Sequence, residues 1–388
     1  MRIGYDISQA GRGKAGCGHF AHAMLAAMLD RRPGHHLTLY SSFGDFYFDP
    51  SMGLARPYRG RNVGYGPRHF SRNSAAAFWN SPGLEQALGN PDIVHANNFW
   101  CPAPLAQSRL VYTCYDLGFT VDPGWTTEAN RVGCFQGMFR AAVAADWIVA
   151  ISEATREHFL RTFPHFSAER VRVIHPTSRF TDLSAQGRRP RGLDMLEQGN
   201  FLLSVGTIEP RKNHLGLARA YARYLALGGK PRPVVFAGGR GWLMGEFARE
   251  LSKLGISGHV AMTGYLPDDE IAWLYRNCLA HLYPSFFEGF GLPVLEGMQF
   301  GAPTICSNTT ALPEVAGEAT ILLAPEDTEA WAQAMLALSN DAPKRQWMAA
   351  AGRARAAQFN RQASAAAMVS LYEEAAAAPK RVAHQIAA

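Results

Sequence analysis

The chain has 388 residues, too many for one ordinary core and suited to two α/β domains of about 150–200 residues each. With 47% hydrophobic and 18% charged residues it reads as globular rather than disordered, and a formal net charge of +6 is too mild to mark a polycation. No apolar run reaches the ~20 residues of a spanning helix, and the six cysteines (17, 101, 114, 134, 278, 306) show no C-x-x-C pairing, so reduced, mostly buried thiols are expected and a zinc site is not.

The first strand-like run, RIGYDI at 2–7, starts with no basic-then-apolar leader ahead of it, and a cytoplasmic protein is expected. Gly11-x-Gly13-x-x-Gly16 follows and precedes the helical stretch GHFAHAMLAAML, which fits a dinucleotide fingerprint as a pattern. The glycines begin four residues beyond the strand, however, and the next strand, HLTLYSS, ends in serines where a ribose would want a carboxylate. Lys14 is followed by Ala15, so a phosphate loop of the Walker kind fails too. A flexible loop at a domain mouth fits better than a nicotinamide site.

Basic residues then gather among aromatics: Arg31, Arg32, Arg56, Arg59, Arg61, Arg68 and Arg72 with Tyr58, Tyr65, His69 and Phe70. Such a mixture suits single-stranded nucleic acid, an anionic bilayer surface or a solvated loop, and no nucleic-acid fold motif accompanies it. The runs IVHANN, RLVYTCYD, WIVAIS and VRVIHP alternate with helical stretches, which means βαβ units and a parallel sheet. His95 ends one of these strands and reads as a satisfied core or cleft histidine. A first domain is expected over 1–178, and the polar, aperiodic stretch 179–200 is expected as a linker.

The rhythm repeats in a second domain, 201–360, with FLLSVG, PVVFAGG, HVAMTGY, AHLYPS, PTICSN and TILLAP. The first of these ends in Gly206-Thr207, and Arg211 and Lys212 lie just before a helix starting near Asn213. That is the carboxyl edge of a parallel sheet, where ligands bind. An Arg fork beside a Lys point charge suits a diphosphate, although two solvated cations would look the same. Asp268-Asp269-Glu270 reads as the acidic first turn of a helix. AHLYPS leads into EGFGLPVLE, whose ends are Glu288 and Glu296. Gly289 and Gly291 permit close approach to a ligand, and Pro293 suits a first helical turn whose free N–H groups face an anion. Glu288 is expected in the loop and Glu296 about one turn into the helix. A polyol that carries a phosphate and offers hydroxyls at two places would fit; two solvated glutamates are the plainer alternative. The Ala-rich stretch 361–378 reads as one amphipathic helix ending at Pro379.

Taken together, Gly206-Thr207-x-x-x-Arg211-Lys212-Asn213, Ser285-x-x-Glu288-Gly289-Phe290-Gly291-Leu292-Pro293-x-x-Glu296-Gly297, Gly301-x-Pro303 and Leu312-Pro313-Glu314 resemble the retaining GT-B glycosyltransferases of family 4. The likeness is dense from about 200 to 318. Upstream it is weaker but colinear: the Gly16-Cys17-Gly18 loop, Asp92-Ile93-Val94-His95, Asp116-Leu117 and Ile151-Ser152-Glu153.

The resemblance implies an α/β protein of GT-B fold, two Rossmann-like parallel-sheet domains facing across a cleft, with the last segment (361–388) crossing back to the first. It implies a nucleotide diphosphate sugar as donor, with Glu296 on the ribose and Tyr265-Leu266 at the base. Gly206, Thr207, Gly289, Phe290, Gly291 and Leu292 would lie at phosphates and sugar, and Gly16 would reach donor phosphate or acceptor. Glu288 would hold a sugar hydroxyl, Arg211 and Lys212 would stabilise the leaving diphosphate, and Asp116 would position acceptor or sugar. The family usually has His before that Asp; this chain has Tyr115. No Asp-x-Asp occurs, so neither metal nor other cofactor is expected.

The GTIEPRKN and EGFGLPVLEGM stretches look like those of bacterial surface-polysaccharide mannosyltransferases, which points to GDP-mannose, with GDP-rhamnose or UDP-glucose as alternatives. The acceptor would be a saccharide or a polyprenyl-diphosphate-linked saccharide, at the inner face of an anionic membrane, with no nucleic acid involved. A sugar-nucleotide epimerase, a nicotinamide-dependent oxidoreductase and an inactive carbohydrate-binding protein remain the readings from other classes.

Overall fold

Thirteen strands form two wholly parallel sheets in a computed structural model that describes residues 1–11, 16–30, 34–46, 48–54, 57–184, 186–239, 241 and 244–381. The first sheet comprises β1 (Arg2–Asp6), β2 (His36–Tyr40), β3 (Val63–Tyr65), β4 (Ile93–Ala96), β5 (Arg109–Cys114), β6 (Trp147–Ala150) and β7 (Val171–Val173). The second comprises β8 (Leu202–Val205), β9 (Val234–Ala237), β10 (Val260–Gly264), β11 (Ala280–Tyr283), β12 (Thr304–Ser307) and β13 (Ile321–Leu323). Helices of the first region are α1 (Gly16–Asp30), α2 (Pro50–Leu54), α3 (Arg72–Trp79), α4 (Leu84–Ala87), α5 (Glu128–Ala144) and α6 (Glu153–Thr162). Those that follow are α7 (His214–Ala226), α8 (Met244–Lys253), α9 (Asp268–Asn277), α10 (Leu292–Gln299), α11 (Leu312–Ala316), α12 (Thr328–Asn340), α13 (Ala342–Ala356) and α14 (Arg361–Ala377).

The chain divides into two compact units: Met1–Thr177 with Asn360–Ala388, and Ser178–Phe359. In the first unit α14 packs on α1 and β4, burying Met368, Leu371, Tyr372 and Ala375. In the second, residues after Ser178 fold onto the unit: Phe180 meets Phe300 edge-on with ring centroids 4.8 Å apart, and Leu196 is fully buried.

Strands covered on both faces read as continuous apolar runs, and these do. In the second sheet Leu202, Val234 and Phe236 enter one core, while Leu203, Val205, Val235 and Ala237 enter the other. Adjacent residues therefore point to opposite layers, as the two-residue period of a strand requires. Twelve of the thirteen strands coincide with the apolar runs of the sequence. The exception is β3, three half-buried residues at the sheet edge in the sequence Val-Gly-Tyr. It lies inside the Arg- and Tyr-rich stretch and carries no apolar pattern of its own.

Strand order places the candidate sites. The first sheet runs β3-β2-β1-β4-β5-β6-β7 and the second β10-β9-β8-β11-β12-β13. Each order reverses direction once, between β1 and β4 and between β8 and β11. In open parallel sheets the crevice beyond the carboxyl ends of such a strand pair receives ligands. The loops after β8 and β11 are the ones carrying Arg211, Lys212 and Glu288.

Candidate active site

In the second unit β8 ends at Val205 and Gly206 takes φ +148°, a conformation that a side chain would disfavour. A single 3-10 turn, Pro210–Lys212, then delivers Arg211 and Lys212. Asn213 closes this turn in a left-handed conformation (φ 53°), and its side chain accepts the Gly216 N–H to cap α7. The Asn213 amide also donates to the Pro325 carbonyl at 2.8 Å. These bonds fix the direction in which the two cations leave the backbone.

From β11 the chain passes Ser285 and reaches Glu288, whose N–H donates to the Thr310 hydroxyl at 2.9 Å. The Arg211 carbonyl accepts the Phe286 N–H, also at 2.9 Å, which ties the two loops together. Their side chains meet directly. Lys212 Nζ lies 2.6 Å from Glu288 Oε1, and Arg211 Nη1 lies 3.0 Å from Oε2. The same Oε1 accepts from the Ser285 hydroxyl at 2.6 Å and from Tyr283 at 2.9 Å. Lys212 also donates to the Tyr283 hydroxyl. Arg211 completes its fork on Glu209 at 2.7 Å and on the Phe287 carbonyl at 2.5 Å.

Electrostatics follow from this packing. Burial pushes the Glu288 pKa up, but Arg211, Lys212 and the hydrogen bonds outweigh it and hold it at about 2. Glu288 is ionised at every physiological pH. Burial pulls Lys212 down and the Glu288 charge opposes that pull. The pair read from the sequence as a cationic clamp is thus a four-membered cluster of two cations and two carboxylates, Arg211, Lys212, Glu209 and Glu288. Its members are preorganised by one another. Any anion bound here meets donors already oriented, which is the condition under which charge stabilisation is strong.

Gly291 (φ 105°) stands just before α10 as its N-cap, and no side chain caps that terminus. Pro293 stands in its first turn, and Phe290 is buried edge-on against Phe359, ring centroids 5.5 Å apart. Glu296, the fifth residue of the helix, does not touch the cluster of Glu288. It lies 3.3 Å from Arg179 Nε and accepts from Tyr275 at 3.4 Å. Burial dominates and raises its pKa to about 7, with Arg179 opposing and Asp268 adding to the rise. Arg179 also lies 3.4 Å from Asp268, the first residue of α9. The loop before α9 carries Tyr265, largely exposed, and half-buried Leu266, which packs on the core. Gly206, Thr207, Gly289 and Leu292 flank the two clusters in sequence at the same carboxyl edge.

Gly16 and Asp116 belong to the other unit. Gly16 is the exposed first residue of α1, while Gly13 and Lys14 lie outside the described residues. Half-buried Asp116 accepts the Gly118 N–H at 2.9 Å, closing a turn after β5. Tyr115, buried where the resembling family has His, donates to the Asn97 carbonyl at 2.9 Å, with the Cys17 carbonyl 3.3 Å away. Its hydroxyl therefore ties the loops after β4 and β5 to the first turn of α1. His95 is fully buried between the Tyr372 hydroxyl (2.5 Å) and the Thr113 hydroxyl (2.8 Å), a satisfied core histidine. Of the basic run, Arg59 and Arg61 precede β3 and Arg68 and Arg72 follow it; Arg31, Arg32 and Arg56 lie outside the described residues.

Two residues escape sequence reasoning. Arg179 sits in a polar, aperiodic stretch that gives no hint of its place beside Glu296. Tyr283 reads only as a strand aromatic. The pairing of β11 with β8 is what brings its hydroxyl to Lys212, while Glu288 reaches it from five residues along the same loop.

Comparison with known proteins supplies the class. The family model of the glycosyl transferases group 1 matches residues 190–355, and that of glycosyltransferase family 4 matches residues 18–177. O-antigen chain mannosyltransferase B of Escherichia coli is 32% identical over 273 residues, 69% of this chain and 70% of that protein. The serotype-specific mannosyltransferase WbdA of Escherichia coli is 33% identical over 274 residues, 62% of this chain but only 31% of that longer protein. Among solved structures, Anabaena HepE in complex with UDP and glucose superposes with a TM-score of 0.70 at 17% identity, over 96% of this chain and 100% of that one. The fold is GT-B, and the protein is a glycosyltransferase. The chain belongs to the group 1 glycosyl transferases, with family 4 character in its first unit.

Proposed function

We propose that this chain is a retaining mannosyltransferase that moves mannose from GDP-mannose to a saccharide or polyprenyl-diphosphate-linked saccharide in surface polysaccharide synthesis. The observation that carries the chemistry is the buried Lys212–Glu288–Arg211 cluster at the carboxyl ends of β8 and β11. The mannosyltransferase names of the relatives support the choice of sugar.

The nucleotide diphosphate lies at the carboxyl edge of the second unit, ribose at Glu296, base at Tyr265-Leu266, phosphates before Gly291 and the first turn of α10. As the bond from the anomeric carbon to the diphosphate breaks, negative charge grows on the leaving oxygens and positive charge on the sugar ring. Arg211 and Lys212 stabilise the first; Glu288 accepts a sugar hydroxyl and favours the second. These interactions strengthen in the transition state and so raise the rate. The acceptor is positioned by Asp116. Arg211 and Lys212 take the place of a metal, and the reaction proceeds without one. The protein works in the cytoplasm, at the inner face of an anionic membrane, where a polyprenyl-linked acceptor would be presented.

The test is a panel of GDP-, UDP- and ADP-sugars against the purified protein, read by thermal shift and then by product NMR with a saccharide acceptor. GDP-mannose alone should raise the melting temperature and yield an α-linked product. Turnover with a different nucleotide sugar would replace the donor; a β-linked product would remove retention.

A further inference from the structure

Glu296 presents a chemical difficulty that the proposed function leaves open. To accept two ribose hydroxyls, a carboxylate must be ionised and must have unused acceptor positions. Glu296 is buried in the first turns of α10 and lies near a second carboxylate, Asp268, both of which favour its protonated form. A protonated carboxyl turns one of its oxygens into a donor and so no longer offers an acceptor oxygen to each of two neighbouring hydroxyls.

Arg179 answers both requirements. Its Nε stands 3.3 Å from Glu296 Oε1 and 3.4 Å from Asp268 Oδ1, so one guanidinium neutralises the two acids together. Its stem is held by the neighbouring Phe180, over whose ring the guanidinium lies at 4.9 Å and which is itself wedged against Phe300. The carboxylate has about four lone-pair positions. Tyr275 takes one on Oε2, while Arg179 stands beside Oε1 at 3.3 Å as an ion pair, so both oxygens keep acceptor positions for a vicinal diol.

We infer that Arg179 is a positioning residue for the donor: it draws Glu296 towards its ionised form and aims it, with acceptor positions open on both oxygens, so that the carboxylate grips both ribose hydroxyls. This inference rests on the assignment of the ribose to Glu296. The groups facing Glu296 are Arg179 from the segment before β8, and Asp268 and Tyr275 from α9. His281 of β11 lies against the adjacent Gly297 and is held neutral by burial, its pKa near 3, while Arg353 of α13 stands at Gly301 beyond the end of α10. Among these, Arg179 is the cation in contact with the carboxylate. Because Glu296 sits near 7, removing that cation should carry it out of the ionised state across the neutral range.

The experiment measures calorimetric binding of GDP, UDP and ADP, and of the 2′,3′-dideoxy form of whichever binds most tightly, from pH 6 to pH 9. Wild type, Arg179→Met and Arg179→Lys are compared, each checked for its melting transition. Arg179→Met should weaken the ribonucleotide about tenfold or more at pH 7, the scale of one lost charge-assisted contact. The rise of its affinity with pH should move to higher pH by about one unit or more. It should bind the dideoxy nucleotide as wild type does, and Arg179→Lys should restore most of the loss. A folded Arg179→Met that discriminates ribo from dideoxy like wild type, with an unshifted pH profile, would overturn the role of Arg179. Wild type that binds the dideoxy form equally well, or binds no nucleotide, would instead overturn the ribose assignment beneath it.

Discussion

Replacing Glu288 by glutamine keeps the side-chain shape and one acceptor oxygen and removes only the charge. The cost can be worked from its surroundings. Holding Glu288 at about 2 against an ordinary 4.5 corresponds to about 3 kcal/mol of folding stability, at about 1.4 kcal/mol per unit. This agrees with the ~3–5 kcal/mol that removing one partner of a buried pair typically costs. Because the folded pKa is depressed, the stability is fully present above the unfolded value of 4.5 and is lost as pH falls towards 2. A unit the size of Ser178–Phe359 shifts by about 2–4 °C per kcal/mol, so Glu288→Gln should melt roughly 6–12 °C lower at pH 7. The gap to wild type should close as pH drops from 5 to 3. In the same variant Arg211 and Lys212 lose a competitor, so donor nucleotide should raise the melting temperature by at least as much as in wild type. Turnover should nonetheless fall by about 100-fold or more, the scale of one preorganised charge stabiliser. Calorimetric melting across pH, with and without nucleotide, together with kcat at saturating acceptor, makes the comparison. A melting gap that is constant with pH would refute the electrostatic account. Normal turnover would remove Glu288 from the chemistry.

Glu296→Gln should raise the donor KM more than it lowers kcat, since the interaction with the ribose is the same in ground and transition states. Its elevated pKa has the opposite sign for folding: the charged form costs stability as pH rises from about 4.5 to 7, so this variant should gain heat stability over wild type at pH 8 relative to pH 5. Equal melting differences at both pH values would contradict the burial argument. Alanine at either Arg211 or Lys212 should lower kcat by about 100-fold or more while donor affinity changes less; near-normal rates in both would reduce the cluster to a structural one. Chelation of divalent metal should leave most transferase activity in place, and loss restored by magnesium or manganese would contradict the assignment of that task to the two cations.

Much of the fold was legible because buried parallel strands must be apolar throughout. RLVYTC and FLLSV have no polar face to disguise them, and Asn213, the acids at 268–270 and Pro293 mark helix starts by local chemistry alone. Glu288, Arg211 and Lys212 were legible as candidates because glycine-rich turns at strand ends are rare enough to stand out. Their mutual pairing was not. It depends on β8 and β11 being neighbours across two intervening strands in sequence, a choice of strand order that no local pattern records. Arg179 was invisible for the same reason, since its partners Glu296 and Asp268 are 117 and 89 residues away. Val63–Tyr65 escaped because an edge strand of three half-buried residues has no inner face to be apolar.

The return of α14 to the first unit has a bearing on how the protein is made. Domains ordinarily fold in the order in which they leave the ribosome. Here the first unit to be synthesised lacks a buried layer, including the tyrosine that bonds His95, until every residue of the second has emerged. The second unit, continuous from Ser178 to Phe359, can close around its own core while its predecessor still waits. Birth order and completion order are therefore reversed. The nascent chain carries an unfinished apolar surface on β4 and α1 for most of its synthesis, and it is there that a holding chaperone would find its longest opportunity.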